Sequence, residues 1–195
     1  MAIDTSIFCL TSVLDSCAIW NILSSERLYS ATRFARCTFC ITSFVKYECL
    51  HKPRSVPTES DECLKEKLIV ENSANRIVQY NLEISDLQQV DLLSQRHRLS
   101  KGELTSIAFA IKTNQAFLTD DQKARKLACD VLERSRVQTT PHLFGWLIFS
   151  NHLNDGDKDE VIQQHTALNR PLKKYFEEAY LLALHARLLS KSLGE

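Results

Sequence analysis

Apolar positions along the chain change their spacing several times, and each change marks an element. Ile7 to Leu14 is an apolar run containing Thr11 and Val13 that stops at Asp15-Ser16, which predicts a buried strand with Asp15 at its carboxyl end. Ser16 is a helix-capping residue type, and Ala18, Ile19, Trp20 and Leu23 follow at helical spacing. Thr38 to Thr42 predicts a second strand, running into a helix that carries Val45, Glu48 and Cys49 and ends before Pro53. Pro53 to Ser60 (PRSVPTES) reads as a linker, Asp61 to Asn75 as an exposed helix, and Arg76 to Ile84, which alternates weakly, as a third strand. Ser85 is expected to cap a helix reaching about Arg98.

From Ser100 to Thr113 the spacing predicts another helix, opened by Ser100-Lys101-Gly102-Glu103, in which Ser and Glu three apart form a capping box. Ala116 to Thr119 predicts a short strand ending at Asp120-Asp121, followed by a helix from Gln122 to Arg134. Val137 to Thr139 is expected as a last strand; Pro141 suits the first turn of a further helix, and the remainder reads as helical. Strands alternating with helices imply an α/β protein, a three-layer α/β/α sandwich with a central parallel sheet plus C-terminal helices. Its expected division is residues 1–154 as one domain and 155–195 as a helical extension packed on that domain or on a partner. Ligands of such sheets bind outside the carboxyl ends of the strands, which places Asp15 and Asp120/Asp121 on one rim.

Composition narrows the class. The chain has 195 residues, 44% hydrophobic and 25% charged, as in an ordinary globular protein able to bury a core without staples. An odd count of 7 Cys cannot pair completely, and Met1-Ala2-Ile3-Asp4 lacks the basic stretch and apolar run of a secretory signal, so reduced thiols and a cytoplasmic location are expected. The longest apolar stretch, Leu143 to Phe149, is too short for a membrane span. With 24 basic and 24 acidic residues the chain has no overall basic excess to announce a nucleic-acid binder. Cations cluster locally instead: Lys46, Lys52 and Arg54; Arg96, Arg98 and Lys101; Lys123, Arg125 and Lys126. Each group flanks an acid, as weak contacts to RNA phosphates would.

The acids carry the candidate chemistry. Asp15, Glu48, Glu103, Asp120 and Asp121 offer only oxygen ligands, which suit a hard cation such as Mg²⁺ or Mn²⁺. Like charges gathered on one rim repel unless a cation neutralises them. Such an ion polarises a phosphoryl oxygen and acidifies water for in-line attack on a phosphodiester. Each acid also has a structural role open to it: Asp15 as a turn residue, Glu48 as a solvated helix residue, Glu103 in its capping box, Asp120 and Asp121 as caps facing a helix dipole.

The order of these motifs resembles the PIN-domain family: strand then Asp15-Ser16; Thr42 with Val45 and Glu48; Gly102-Glu103 before Ile107-Ala108-Phe109-Ala110; Phe117-Leu118-Thr119-Asp120-Asp121 with Ala124-Arg125. The resemblance spans Ile7 to Asn154. It is nearest to the subgroup in which the third acid is a glutamate preceded by glycine and the fourth site reads Asp-Asp or Asp-Glu before Ala-Arg. It implies a Mg²⁺- or Mn²⁺-dependent endoribonuclease leaving 5′-phosphate and 3′-hydroxyl ends, and many of these proteins are toxins of bacterial toxin–antitoxin pairs. It makes Asp15, Glu48 and Glu103 metal ligands, directly or through water. Either Asp120 or Asp121 is the fourth acid, depending on whether the Asp-Glu or the Thr-x-Asp form is matched. Many relatives carry Asp where this chain has Glu103.

Two rival readings stand beside this: the same fold as an RNA-binding or regulatory module with little catalysis, and a different metal-dependent phosphoesterase acting on DNA or nucleotides. RNA, an antitoxin protein and a second copy of the chain are the expected partners, with no membrane. Cys37-x-x-Cys40 and Cys49-x-His51 hold the residue types of a zinc site, but residues three apart on a strand face opposite ways and residues two apart on a helix converge poorly.

Overall fold

The structure is a computed structural model and describes residues 4–52, 58–94 and 99–192. Its elements are β1 (Thr11–Leu14), α1 (Ser16–Leu23), α2 (Glu26–Phe34), β2 (Thr38–Thr42), α3 (Ser43–Leu50), α4 (Glu59–Ser73), β3 (Ile77–Tyr80) and α5 (Ile84–Ser94). There follow α6 (Lys101–Thr113), β4 (Ala116–Leu118), α7 (Gln122–Val131), a 3₁₀ turn (Arg134–Arg136), β5 (Val137–Gln138), α8 (Thr140–Phe149), α9 (Asp157–Ala167) and α10 (Lys173–Ser192). The five strands form one sheet in the order β3-β2-β1-β4-β5, with every pair parallel. This is the α/β class the alternation predicts, a central parallel sheet flanked by helices.

That strand order matters for the site. The chain builds outward from β1 through β2 to β3, then returns to the other side of β1 to lay down β4 and β5. The direction reverses between β1 and β4, and loops leaving two neighbouring strands in opposite directions leave a crevice at their carboxyl ends. Val13 pairs with Cys40 on one side and Phe117 on the other, and Leu14 with Leu118, so Asp15 and Thr119 leave the sheet level with each other.

Contacts divide the chain into two compact units, one of Cys9–Trp20 with Thr38–Gln138, the other of the segment to Phe8 with Asn21–Cys37 and Thr139–Glu195. The first holds the whole sheet and α3 to α7. Its core gathers Val13, Phe117 and Val137 from the sheet with Ile107, Ala110, Leu127 and Ala128 from α6 and α7, all buried. The second is helical. A Cβ on Gly145 of α8 would lie 3.1 Å from the Ala179 carbonyl oxygen of α10, so these two helices approach as closely as glycine allows, and Phe144 meets Phe176 at 5.0 Å between ring centroids. α8 belongs to this second unit, together with the C-terminal helices.

Three local expectations need correction. The first strand begins at Thr11, not Ile7; Ile7 is 61% and Leu10 41% exposed, so the run before Thr11 is apolar without being sheet. α2 has no counterpart among the expected elements, although Ser25 caps it, its hydroxyl accepting from the Leu28 N–H at 3.0 Å. α5 begins at Ile84 rather than after a Ser85 cap, and Asp86 secures its start by accepting from the Glu83 N–H at 2.8 Å. Among the described residues no helix is long and apolar enough to cross a membrane.

Candidate functional site

Asp15 follows the last residue of β1 and is 1% exposed. One carboxylate oxygen accepts from the Ala18 N–H at 2.7 Å, so Asp15, not Ser16, caps α1. The other accepts a short hydrogen bond from the Thr119 hydroxyl. Thr119 is itself buried and its Oγ1 also accepts from the Asp121 N–H at 3.1 Å, so one hydroxyl ties Asp15 to the turn carrying Asp120 and Asp121. Burial pushes the Asp15 carboxyl up to about 7; its two hydrogen bonds resist, and the negative charges of Asp120 and Glu103 push the same way.

α6 is fastened over the strand ends by hydroxyls. The Ser106 hydroxyl donates to the Leu14 carbonyl at 3.2 Å, and Thr105 donates to the Gly102 carbonyl at 3.0 Å. Thr105 has thus used its proton, so Thr42 is the donor in the 2.9 Å bond between the Thr42 and Thr105 hydroxyls. Thr42 also caps α3, accepting from the Val45 N–H at 3.3 Å, which fixes the helix that presents Glu48.

Glu103 forms the expected capping box: its carboxylate accepts from the Ser100 N–H at 2.7 Å and its own N–H donates to the Ser100 hydroxyl at 3.2 Å. It is half-buried, and burial raises its carboxyl above the ordinary value against the Ser100 bonds, with Asp121 and Glu48 adding repulsion. Glu48 accepts from the Gly102 N–H at 3.3 Å. Asp121 caps α7, one oxygen accepting from the Lys123 and Ala124 N–H groups at 2.7 and 2.8 Å. Asp120 precedes it, half-buried, and acts on Asp15.

The five acids come from four places in the chain, and Asp15 feels Asp120 and Glu103 while Glu103 feels Asp121 and Glu48. Each thus makes a structural hydrogen bond or repels a neighbour that does. Among the described residues no three His, Cys, Asp or Glu side chains form a ready-made metal cage. The acids are all carboxylate oxygen donors, the type a hard divalent ion takes, and Asp15 is buried with no positive charge from the described residues acting on it.

The flanking cations are less uniform than the sequence suggests. Lys52, Lys101, Lys123, Arg125 and Lys126 are exposed. Lys46 is committed elsewhere, donating to Asn72 at 2.6 Å and Gln79 at 2.8 Å, which binds α3 to α4 and β3. Arg54, Arg96 and Arg98 lie outside the described residues. The seven cysteines are free, and burial pushes the Cys37 and Cys40 thiols up to about 12, where thiolate is scarce at neutral pH.

Sequence reasoning misses Thr119 as the residue that holds two acids and Gly102 as the neighbour of Glu48. No family model matches the chain, and no curated protein matches it. The class is therefore set by fold and site alone: an α/β protein with an acidic rim at the point where the order of its parallel strands reverses.

Proposed function

We propose that the unit bearing the sheet is a Mg²⁺- or Mn²⁺-dependent endoribonuclease of PIN type, leaving 5′-phosphate and 3′-hydroxyl ends, and that the protein is the toxin of a toxin–antitoxin pair. The observation that carries this reading is Asp15: a carboxylate 1% exposed, at the strand-order reversal, with acids and, among the described residues, no cation acting on it. A buried carboxylate without a counter-charge is costly to ionise, and an added divalent ion would relieve that cost. Asp15 and one of Asp120 and Asp121 are the ligands on the strand ends. Glu103 and Glu48 face them from α6 and α3, directly or through water. When bound, the ion supplies Lewis-acid activation of the phosphodiester and of the attacking water. The chain's own contribution is placement: Thr119 aims Asp15, the Ser100 amide aims Glu103, and exposed Lys101, Lys123 and Arg125 meet phosphate.

Purified protein incubated with total RNA and Mn²⁺ should produce fragments carrying 5′-phosphates, with none in chelator and none for Asp15→Asn. Expression without a partner should arrest growth, and Asp15→Asn at equal soluble level should release it. RNA binding without cleavage at any Mn²⁺ concentration would instead make the chain a binding or regulatory module, and cleavage confined to DNA or nucleotides would make it a different phosphoesterase.

A further inference from the structure

Gly102 occupies the second position of α6, in its first turn, where glycine has no helix-forming advantage over alanine. Its backbone does not require glycine, since no glycine among the described residues has a positive φ. The space beside it does. A Cβ built on Gly102 would stand 2.9 Å from the Glu48 carboxyl carbon and 3.3 Å from its Oε1, with Oε2 closer still, so the three nearest atoms all belong to that one carboxylate. The Gly102 N–H donates to the same group at 3.3 Å. The missing side chain and the amide therefore act together, drawing Glu48 against the start of α6, where the helix dipole favours negative charge and opposes the repulsion from Glu103.

We propose that Gly102 is a positioning residue for Glu48: its lack of a Cβ and its N–H together seat the Glu48 carboxylate beside Glu103. The consequence for metal binding rests on the reading given under Proposed function; the seating itself does not. The obstructing atoms are the far end of a flexible side chain on another helix, so alanine at this position displaces Glu48 rather than α6. Gly102→Ala is expected to fold.

The decisive experiment is a cycle of Gly102→Ala, Glu48→Ala and the double variant, melted without metal and then titrated with Mn²⁺ by calorimetry. In the Glu48→Ala background, Gly102→Ala should raise the melting temperature, as glycine replacement in a helix ordinarily does. In the parent it should raise it distinctly less, or lower it. Mn²⁺ affinity of Gly102→Ala should fall by about tenfold or more, the usual scale for losing a group that orients a ligand. In the Glu48→Asp background, whose shorter carboxylate clears the new Cβ, Gly102→Ala should cost no further affinity. Equal melting-temperature increments with and without the Glu48 side chain would overturn the seating, whatever the metal does. Unaltered Mn²⁺ affinity in Gly102→Ala, with Glu48→Gln losing it, would overturn the positioning role while leaving the metal site standing. A parent that binds no Mn²⁺ would sink the metal reading alone, and the metal-free cycle would still decide the seating.

Discussion

Asp15 and Asp157 are both nearly inaccessible, at 1% and 7% exposure, yet the chain treats them in opposite ways. Asp157, at the start of α9, receives the Arg27 guanidinium of α2 through two bonds of 2.8 and 2.9 Å, and accepts from the Asn154 N–H at 2.8 Å. Burial works against it, but these partners hold its carboxyl below the ordinary value. Asp86 is handled likewise: it is 3% exposed and lies 3.1 Å from the Lys112 ammonium. Burial again opposes, and the Glu83 amide and Lys112 prevail over it, so this carboxyl too is lowered. Asp15 receives an amide and a hydroxyl but no cation from the described residues, and its carboxyl rises to about 7. Where a buried acid serves the fold, this chain supplies the counter-charge itself. Where the acid stands at the strand-order reversal, it supplies more negative charge, which favours the protonated carboxyl instead.

The contrast breaks most visibly at Arg27. Arg27→Met keeps most of the aliphatic stem and strands Asp157, and should cost about 2 kcal/mol of stability at pH 7, below the usual range for a buried pair because the Arg27 side chain is 40% exposed. A carboxyl lowered in the folded state gives stability that is present above its unfolded value and lost as pH falls through its folded value. The deficit should therefore shrink on acidification, as Asp157 takes up a proton. Urea unfolding of parent and variant at pH 7 and pH 3 checks this; an equal deficit at both would assign the loss to packing of the stem.

Asp15→Asn should act in the other direction. In the folded, metal-free protein Asp15 titrates at about 7 against an ordinary 3.8, so between those values the folded state holds a proton that the unfolded chain has released. Stability contributed by this group is greatest at low pH, falls as pH rises through that window, and stays lost above it. Asp15→Asn removes the dependence. Without metal it should be more stable than the parent at pH 8, by about 1 kcal/mol after the cost of a weakened bond to Ala18 or Thr119, with no gain at pH 5. Saturating Mn²⁺ should reverse the ranking at pH 8, since only the parent gains from binding. Thermal melts at the two pH values, with and without Mn²⁺, measure both effects, and a variant no more stable than the parent at pH 8 would remove the claim that Asp15 is an uncompensated charge.

Three of the five acids of the rim are legible in the sequence because they sit at a local signal: Asp15 where an apolar run stops, Glu103 three residues after Ser100, and Asp121 before the helix it caps; Glu48 does not. What joins the acids is not legible in this way. The Thr119 to Asp15 bond spans 104 residues and the Gly102 to Glu48 bond 54, and no local pattern encodes either. Lys46 shows the same limit from the other side: its neighbours in sequence suggest a phosphate contact, while its amide partners lie on α4 and β3. The strand pattern predicts an α/β sheet, but two strands of three and two residues, β4 and β5, give only short apolar signals. α2 is legible in the sequence although it has no counterpart among the expected elements: Ser25-Glu26 opens it, and buried Leu28, Tyr29, Ala31 and Thr32 recur at helical spacing with Glu26, Arg27 and Arg33 on either side of them. The helical unit joins Asn21–Cys37 to Thr139–Glu195 across more than a hundred residues, a link that no local pattern encodes.

Glu103 gives the smallest expected change in stability and the sharpest separation of roles. Its carboxylate accepts from the Ser100 N–H at 2.7 Å, and a glutamine carbonyl oxygen accepts from the same donor. The Glu103 N–H to Ser100 hydroxyl bond belongs to the backbone and survives the change. Glu103→Gln also removes a charge that burial, Asp121 and Glu48 all disfavour, which offsets part of any weakening of the cap. The net shift should stay within about 0.5 kcal/mol at pH 7, the lower end of a capping contribution. Metal-dependent cleavage needs the charge rather than the hydrogen bond, so it should be lost. Glu103→Ala gives up both and should lose about 1 kcal/mol as well as cleavage. Melts and RNA cleavage rates for the three proteins at one Mn²⁺ concentration separate the roles. A Glu103→Gln protein that cuts RNA at the parent's rate would leave Glu103 as a helix cap like Asp121, and would shift the comparison with Asp157 onto Asp15 and Asp120 alone.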